Sequence, residues 1–148
     1  MHIEVIAEAW SPWQRLADYE QQVVAQHSDG KFGACASFVG TMRDFNEGDV
    51  VQGMFLEHYP GMTEKALMTL AAEIQQGHGL LDVLVVHRVG ELLPGEPIVL
   101  VAVWSAHRKQ AFEACRELME ALKSRAPFWK REQLDEGHRW VEKNTAGY

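Results

Sequence analysis

The run "IVLVAVWSA" at residues 98–106 limits what this chain can fold into more than any other segment. It is the most β-branched stretch of the sequence, and an uninterrupted apolar run is typical of a strand that is covered on both faces. We therefore expect a central strand of a sheet here. A second strand of the buried type, "LDVLVVHRVG" at 81–90, precedes it across the turn "ELLPGEP".

Three other segments repeat apolar residues at helical spacing. The first begins after Ser11, a predicted N-cap, with Pro12 at the first helical position. The second covers 62–79, and the third covers 107–126, where Pro127 stops it. Their apolar stripes are Trp13, Leu16 and Val23; Leu67, Leu70, Ala71 and Ile74; and Ala111, Cys115, Leu118 and Leu122.

The remaining segments predict further strands at 2–8, 34–42, 50–59, 128–133 and 137–142. The polar stretch "DFNEGD" after the 34–42 strand predicts a hairpin with the 50–59 strand. The resulting order, β-α-β-β-α-β-β-α-β-β, indicates an α+β fold with a largely antiparallel sheet. The chain length fits a single domain, residues 1–148.

Composition and charge exclude several classes of protein. The formal net charge of -7 argues against general nucleic-acid binding, so any anion site must be local. No apolar run approaches the roughly 18 residues of a membrane span, and the N-terminal "MHIEVIAEAW" lacks the pattern of a secretory signal. Cys35 and Cys115 make neither a disulfide framework nor a metal cluster, so we expect a cytoplasmic protein with reduced thiols and no metal.

Two positions near the ends of predicted elements are candidate anion sites. The motif "WSAHRKQ" places His107 and Arg108 in the first turn of the third helix, with Ser105 as its cap. Free backbone N–H groups and the positive end of the helix dipole favour a phosphate or carboxylate there. Arg43 follows a strand and opens a polar loop, a place that often carries a binding site. The alternatives are a plain capped helix with surface polar residues and a solvated loop arginine.

The stretch "LKSRAPFWKRE" at 122–132 gathers cations around a proline. Lys123 lies in the last turn of the third helix, where the dipole favours a cation. In an extended segment, Phe128, Lys130 and Glu132 share one face, and Trp129 and Arg131 share the other. Two lysines close together lower each other's pKa and yield a neutral amine, which acts as a nucleophile or base. The alternative is a solvated run of charge.

Five motifs in one order carry a resemblance to a known family: "FVGTMRDFN", "LEHYPGMTEKAL", "VVHRVGELLPGE", "SAHRKQAFEA" and "LKSRAPFWKRE". From about Gly33 to Glu142 the chain resembles the large, catalytic subunit of molybdopterin synthase. The resemblance implies an α/β hammerhead fold with an additional small antiparallel β subdomain, which is compatible with the predicted order of elements.

The resemblance also implies an activity. Members of that family convert cyclic pyranopterin monophosphate (precursor Z) into molybdopterin by inserting two dithiolene sulfurs, a step of molybdenum cofactor biosynthesis. The sulfur arrives as a thiocarboxylate on the C-terminal glycine of a small ubiquitin-like subunit. The family enzyme is a heterotetramer built on a homodimer of large subunits. No cofactor is expected, because the partner supplies the sulfur.

The same motifs imply roles for individual residues. Lys123 matches the lysine at the incoming glycine tail and Lys130 matches a second essential lysine, so these two are the expected catalytic residues. The implied substrate-binding residues are Thr41, Met42, Arg43, His107, Arg108, Lys123, Lys130, Arg131 and Glu132. Some family members have lysine at the position of Thr41, so the resemblance leaves open whether its side chain or its backbone contributes.

Helix length adds a geometric expectation. Lys123 lies sixteen positions after His107 on one predicted helix, a distance of about 24 Å at about 1.5 Å per residue. Because the substrate is much shorter, we expect His107 and Arg108 to come from the neighbouring chain of a dimer. Two other classes of function stay open. One is a non-catalytic adaptor that docks the tail of a ubiquitin-like partner, and the other is a phosphate-binding protein without a partner.

Overall fold

The computed structural model describes residues 1–46, 48–134 and 137–140. Within this part the chain forms three helices, Pro12–Gln26 (α1), Met62–His78 (α2) and Arg108–Arg125 (α3). Its strands are His2–Ile6 (β1), Ala34–Thr41 (β2), Phe45–Asn46 (β3), Asp49–His58 (β4), Asp82–Arg88 (β5), Gly90–Leu92 (β6), Pro97–Ser105 (β7), Phe128–Leu134 (β8) and Gly137–Trp140 (β9). The α+β class is confirmed, and the short strands β3 and β6 are additions to the predicted order.

The first sheet has four strands, and β7 is one of its central strands, as predicted. The strand order is β1-β5-β7-β2, with β1 parallel to β5 and the other pairs antiparallel. Val101 and Val103 face α2 and α3, whereas Leu100, Ala102 and Trp104 lie in the cluster with residues of α1. Because helices cover both faces of the sheet, this strand is apolar without interruption.

The second sheet has five strands in the order β3-β4-β8-β9, with β6 also paired to β4. The predicted hairpin between the 34–42 and 50–59 strands is therefore wrong, because β2 pairs with β7 while β4 pairs with β3, β6 and β8. Gly33 helps to explain this choice. Its N–H donates to the Ser105 carbonyl at 3.0 Å, and a Cβ at this glycine would meet the Ala106 oxygen at 2.1 Å. Glycine thus lets β2 begin in close contact with the end of β7.

The starts of α1 and α3 differ in their capping. Ser11 caps α1 as predicted, accepting a hydrogen bond from the Gln14 N–H at 3.3 Å. The predicted Ser105 cap of α3 is wrong, because Ser105 is still part of β7 and its hydroxyl donates to the His107 carbonyl at 2.5 Å. His107 is itself the N-cap residue, without a side-chain cap hydrogen bond, and Arg108 is the first helical residue.

The two sheets come together where α3 ends and β8 begins. Phe128 packs against the core between the first sheet and its helices, and also against the cluster of Met42, Met54, Leu56, Val89 and Leu92. Thr63 links this turn to the start of α2 by hydrogen bonds. Its buried hydroxyl donates to the Pro127 carbonyl at 3.2 Å and accepts from the Tyr59 N–H at 3.0 Å. The start of β8 is therefore held from two sides.

Candidate active site

Lys123 and Lys130 lie on either side of the break at Pro127. The helix ends with the Ala126 N–H donating to the Leu122 carbonyl at 3.3 Å, and Ala126 is already extended. β8 starts two residues later at Phe128. Proline disrupts a helix, so the chain turns here, and Lys130 comes back close enough to Lys123 for their charges to interact. The predicted pairing of the two lysines is thus present in one chain.

Burial changes the acidity of both lysines. Loss of hydration is the larger cause, and the positive charge of Lys123 the smaller one, that lower the pKa of Lys130 to about 8. The carboxylate of Glu132 acts in the opposite direction. Burial also lowers the pKa of Lys123 from its ordinary value, and the Arg43 guanidinium adds to that effect. Both shifts favour the neutral amine, because desolvation and nearby cations disfavour the charged form. Near neutral pH, Lys130 can therefore exchange a proton with a bound molecule.

Arg43 is the third cation of the cluster, and its backbone is fixed by Met42. The Met42 N–H donates to the Glu96 carbonyl at 2.9 Å, and its carbonyl accepts from the Gly95 N–H at 2.8 Å. The Met42 side chain is buried in the apolar cluster between the sheets. Met42 therefore anchors the segment that carries Arg43, and its buried side chain serves packing.

Thr41 is exposed at the end of β2, after a register shift between Gly40 and Thr41. It lines an open cleft of about 460 Å³ together with Trp10, Trp13 and Pro97. Trp13, which the sequence placed on the apolar stripe of α1, is largely exposed beside this cleft. The Thr41 side chain is thus available to solvent.

Glu132 and Arg131 point to opposite faces of β8, in agreement with the predicted alternation. Glu132 is buried and forms an ion pair with Arg139, with 3.2 Å between the Arg139 Nε and a carboxylate oxygen. Arg131 is exposed, and its guanidinium carbon lies 5.3 Å from the Phe55 ring centre and 5.9 Å from the Trp140 ring centre. Glu132 therefore shares the face of Lys130, and Arg131 stacks on aromatic rings behind it.

His107 and Arg108 lie at the other end of α3 and are both exposed. The helix separates His107 from Lys123 by about 24 Å, at about 1.5 Å per residue. The structure therefore brings Lys123, Lys130, Arg43 and Glu132 together and leaves His107 and Arg108 apart from them within one chain. No side-chain cap occupies this helix start.

His87 is a residue of the site that the sequence reasoning missed. Its ring stacks on Phe128 with 3.9 Å between ring centres and an angle of 16°. Burial, with a smaller contribution from the charges of Lys130, Lys123 and His58, lowers its pKa to about 4, while the hydrogen bond to the Arg88 carbonyl acts in the opposite direction. A signal was present in the sequence, since the predicted buried strand "LDVLVVHRVG" contains adjacent histidine and arginine, and arginine is seldom buried unless it is paired.

The arrangement suits the binding of anions and the transfer of protons. Two partly buried amines, of which one titrates at about pH 8, lie beside a guanidinium and a buried carboxylate. Such a group holds a negatively charged molecule and can give or take a proton during a reaction. Among residues 1–46, 48–134 and 137–140, no group of three or more His, Cys, Asp and Glu side chains is placed to hold a metal ion.

Known proteins resemble this chain over most of its length. The profile of the MoaE protein family matches residues 14–125. The molybdopterin synthase catalytic subunit of Pseudomonas aeruginosa is 54% identical over 142 residues, which are 96% of this chain and 91% of the relative. The crystal structure of molybdopterin synthase from Staphylococcus aureus superposes with a TM-score of 0.81 at 29% identity, covering 95% of this chain and 96% of that one.

A second solved structure supports the fold alone, because its sequence identity is low. It is a complex of subunits 1 and 2 of the molybdopterin-converting factor from Helicobacter pylori. The matched chain superposes with a TM-score of 0.77 at 22% identity, covering 97% of this chain and 92% of that chain. The architecture of two sheets and three helices is therefore shared with proteins that differ at most positions.

Proposed function

This chain belongs to the MoaE protein family, and from that premise we propose that it acts as the catalytic subunit of a molybdopterin synthase. In this role it is a sulfurtransferase of molybdenum cofactor biosynthesis. It converts cyclic pyranopterin monophosphate into molybdopterin by inserting two dithiolene sulfurs. The observation that carries the proposal at the level of chemistry is the buried pair Lys123 and Lys130, beside Arg43.

The proposal includes a partner, because a catalytic subunit is by definition part of an assembly and the relative from Pseudomonas aeruginosa has that name. The partner is a small ubiquitin-like subunit whose C-terminal glycine carries the sulfur as a thiocarboxylate. A thiocarboxylate is an anion, and Lys123 at the end of α3 is the cation proposed to receive it. A homodimer of this chain with one small subunit bound to each copy forms the proposed heterotetramer.

The residue types match the steps of this reaction. Arg43 neutralises the cyclic phosphate of the pterin, and a guanidinium suits a phosphate because it donates two parallel hydrogen bonds. Lys130, with a pKa of about 8, supplies a neutral amine that takes up protons as sulfur is added. Glu132 and its partner Arg139 keep a carboxylate on the same face of β8 as this amine.

The remaining residues have supporting roles in the proposal. His107 and Arg108 of the neighbouring copy complete the anion site, since they lie too far from Lys123 within one chain. Met42 holds the backbone of Arg43, and Thr41 borders the entrance on the side of the open cleft. Arg131 lies behind Lys130 and stiffens β8 by stacking between two aromatic rings.

We also propose the finer classification of the fold. The four-stranded sheet with its helices corresponds to an α/β hammerhead, the five-stranded sheet corresponds to the additional β subdomain, and residues 1–148 act as one large-subunit domain. None of α1, α2 and α3 is long and apolar enough to span a membrane. Cys35 and Cys115 are free thiols, which supports the proposal of a reducing, cytoplasmic location.

Lys123→Ala tests the catalytic proposal against an adaptor that only docks the partner. Arg125→Ala is a matched control, because Arg125 is a basic residue of the same helical turn that pairs instead with Glu73. With pterin substrate and thiocarboxylated small subunit, we expect Lys123→Ala to lower product formation at least about 100-fold and Arg125→Ala to leave it within about twofold. Full product formation by Lys123→Ala in an intact complex would instead favour the adaptor. Gel filtration measures the complex.

A further inference from the structure

His87 lies in β5, the strand between β1 and β7, where it pairs with Val5 and Val99. It is a buried titratable side chain in a strand whose other residues include the core valines Val83 and Val85. Its ring faces Phe128, with 3.9 Å between the ring centres and nearly parallel planes. Phe128 is the first residue of β8 and lies on the same face of that strand as Lys130. His87 is therefore the packing partner of the residue that begins the lysine-bearing strand.

The surroundings of His87 favour an uncharged ring, because burial is the main cause that lowers its pKa to about 4. Its Nδ1 lies 2.8 Å from the Arg88 carbonyl oxygen, and a carbonyl oxygen only accepts, so Nδ1 carries the proton. The charged or titratable groups that act on the ring are Lys130 from β8, Lys123 from α3 and His58 from β4. All of them are basic, so each one opposes a second proton on the ring.

The neighbouring Arg88 supports the other side of the site. Its guanidinium donates to the Glu91 carbonyl at 3.0 Å and to a Glu96 carboxylate oxygen at 3.2 Å. Glu96 in turn accepts the Met42 N–H through its backbone, which places Arg43. Two successive residues of one strand thus support the two sides of the cation cluster. Arg88 supports the segment of Arg43, and His87 supports the strand of Lys130.

We propose that His87 is a positioning residue for Lys130. The His87 ring holds Phe128 in place and so keeps the Lys130 amine in a poorly hydrated position. The inference rests on the proposed function only in naming Lys130 as the reacting amine. Without the ring, a gap opens beside Phe128 and water reaches Lys130. Hydration favours the ammonium form, so the amine becomes more basic.

The test measures the Lys130 amine directly, through the pH dependence of its acylation in the full-length chain, with mass spectrometry resolving each lysine. His87→Ala removes the stack, His87→Phe keeps an aromatic ring without nitrogen atoms, and His78→Ala removes a histidine of α2 that pairs with Glu117. We expect His87→Ala to raise the Lys130 pKa by about one unit or more. His87→Phe and His78→Ala should leave it within about 0.3 units of the unsubstituted protein.

Two results overturn the proposal. One is an unchanged Lys130 pKa in His87→Ala, even if thermal stability falls, because that is a purely structural role. The other is an equal rise in His87→Ala and His87→Phe, because the ring stack is then not the cause. If His87→Ala does not fold, Phe128→Leu takes its place, because it removes the other ring of the stack. The same rise of the Lys130 pKa is then expected, and an unchanged value overturns the proposal. The readout needs no turnover, so a failure of the proposed function, seen as full activity in a Lys130 variant, remains distinguishable.

Discussion

The two ends of α3 carry the same kind of residue in opposite surroundings. At the C-terminal end, Lys123 is partly buried and lies beside β8 and Arg43. At the N-terminal end, His107 and Arg108 are exposed, and no side chain caps the helix. One end is packed by its own chain, whereas the other has an open surface. This difference is consistent with the proposal that a second copy contributes the residues of the open end to the site.

The helix dipole makes the contrast sharper. A cation near the C-terminus of a helix is stabilised by the dipole, and a cation near the N-terminus is disfavoured. Lys123 is thus acceptable where it lies even without a function, and only its burial points to one. The dipole disfavours the positive charge of Arg108 and of a protonated His107 at this position. A bound anion, held by the same free N–H groups, would offset that unfavourable interaction.

Lys130→Gln should produce the largest effect at the packed end. We expect product formation to fall by about 100-fold to 10,000-fold, the range for loss of a general acid or base. In the unsubstituted enzyme the rate should rise as the pH increases through about 8, since the neutral amine is the reacting form. Rates between pH 6 and pH 10 check both points. A Lys130→Gln enzyme that keeps the same inflection would show that another group titrates.

Arg108→Ala should have a smaller effect at the open end. An exposed charge that binds a phosphate contributes about 1.5–3 kcal/mol, so we expect kcat/KM to fall by about 10-fold to 100-fold, chiefly through KM. Lys109→Ala is a suitable control, because it removes an exposed cation from the next position. Steady-state kinetics with varied pterin concentration separate the two variants. An equal fall of kcat/KM in both variants would show that Arg108 contributes only to the overall positive charge of this surface and does not bind the substrate specifically.

Lys130→Met should change stability in the opposite direction to activity. The folded pKa of about 8 lies below the unfolded value of 10.5, so protonated Lys130 destabilises the fold at pH below 8. That cost disappears as the pH rises from 8 to 10.5. We expect the substitution to add about 1–3 kcal/mol to the free energy of unfolding at pH 7 and almost nothing near pH 10.5. Urea unfolding at both pH values measures it, and an equal gain at both would exclude the charge as the cause.

The same two ends show what the sequence can predict. The alternation of Phe128, Lys130 and Glu132 on one face of β8 is confirmed, because it follows from local strand geometry. The Ser11 cap is confirmed for the same reason. By contrast, the pairing of β2 with β7 depends on segments far apart in the chain, and polar loop residues alone suggested a nearer partner. Choice of a strand partner is a tertiary property that periodicity does not encode.

The error over the Ser105 cap and the missed contact of His87 with Phe128 have related causes. Ser105 has the residue type of a cap, but the ladder with β2 extends through it and moves the helix start to Arg108. His87 is separated from Phe128 by more than forty positions, and only the folded chain brings their rings together. The family motifs assigned the cations by position, whereas their burial and mutual influence on pKa required the structure.

Mixed dimers provide the most direct test of a site shared between the packed end of one α3 and the open end of another. One chain carries Lys123→Ala and Lys130→Ala, and the other carries His107→Ala and Arg108→Ala. A two-fold dimer of these chains contains one intact composite site, so we predict about half of the unsubstituted activity, although each parent dimer retains only a small fraction of it. Purified mixed dimers that bind the small subunit but form no product would contradict the shared site.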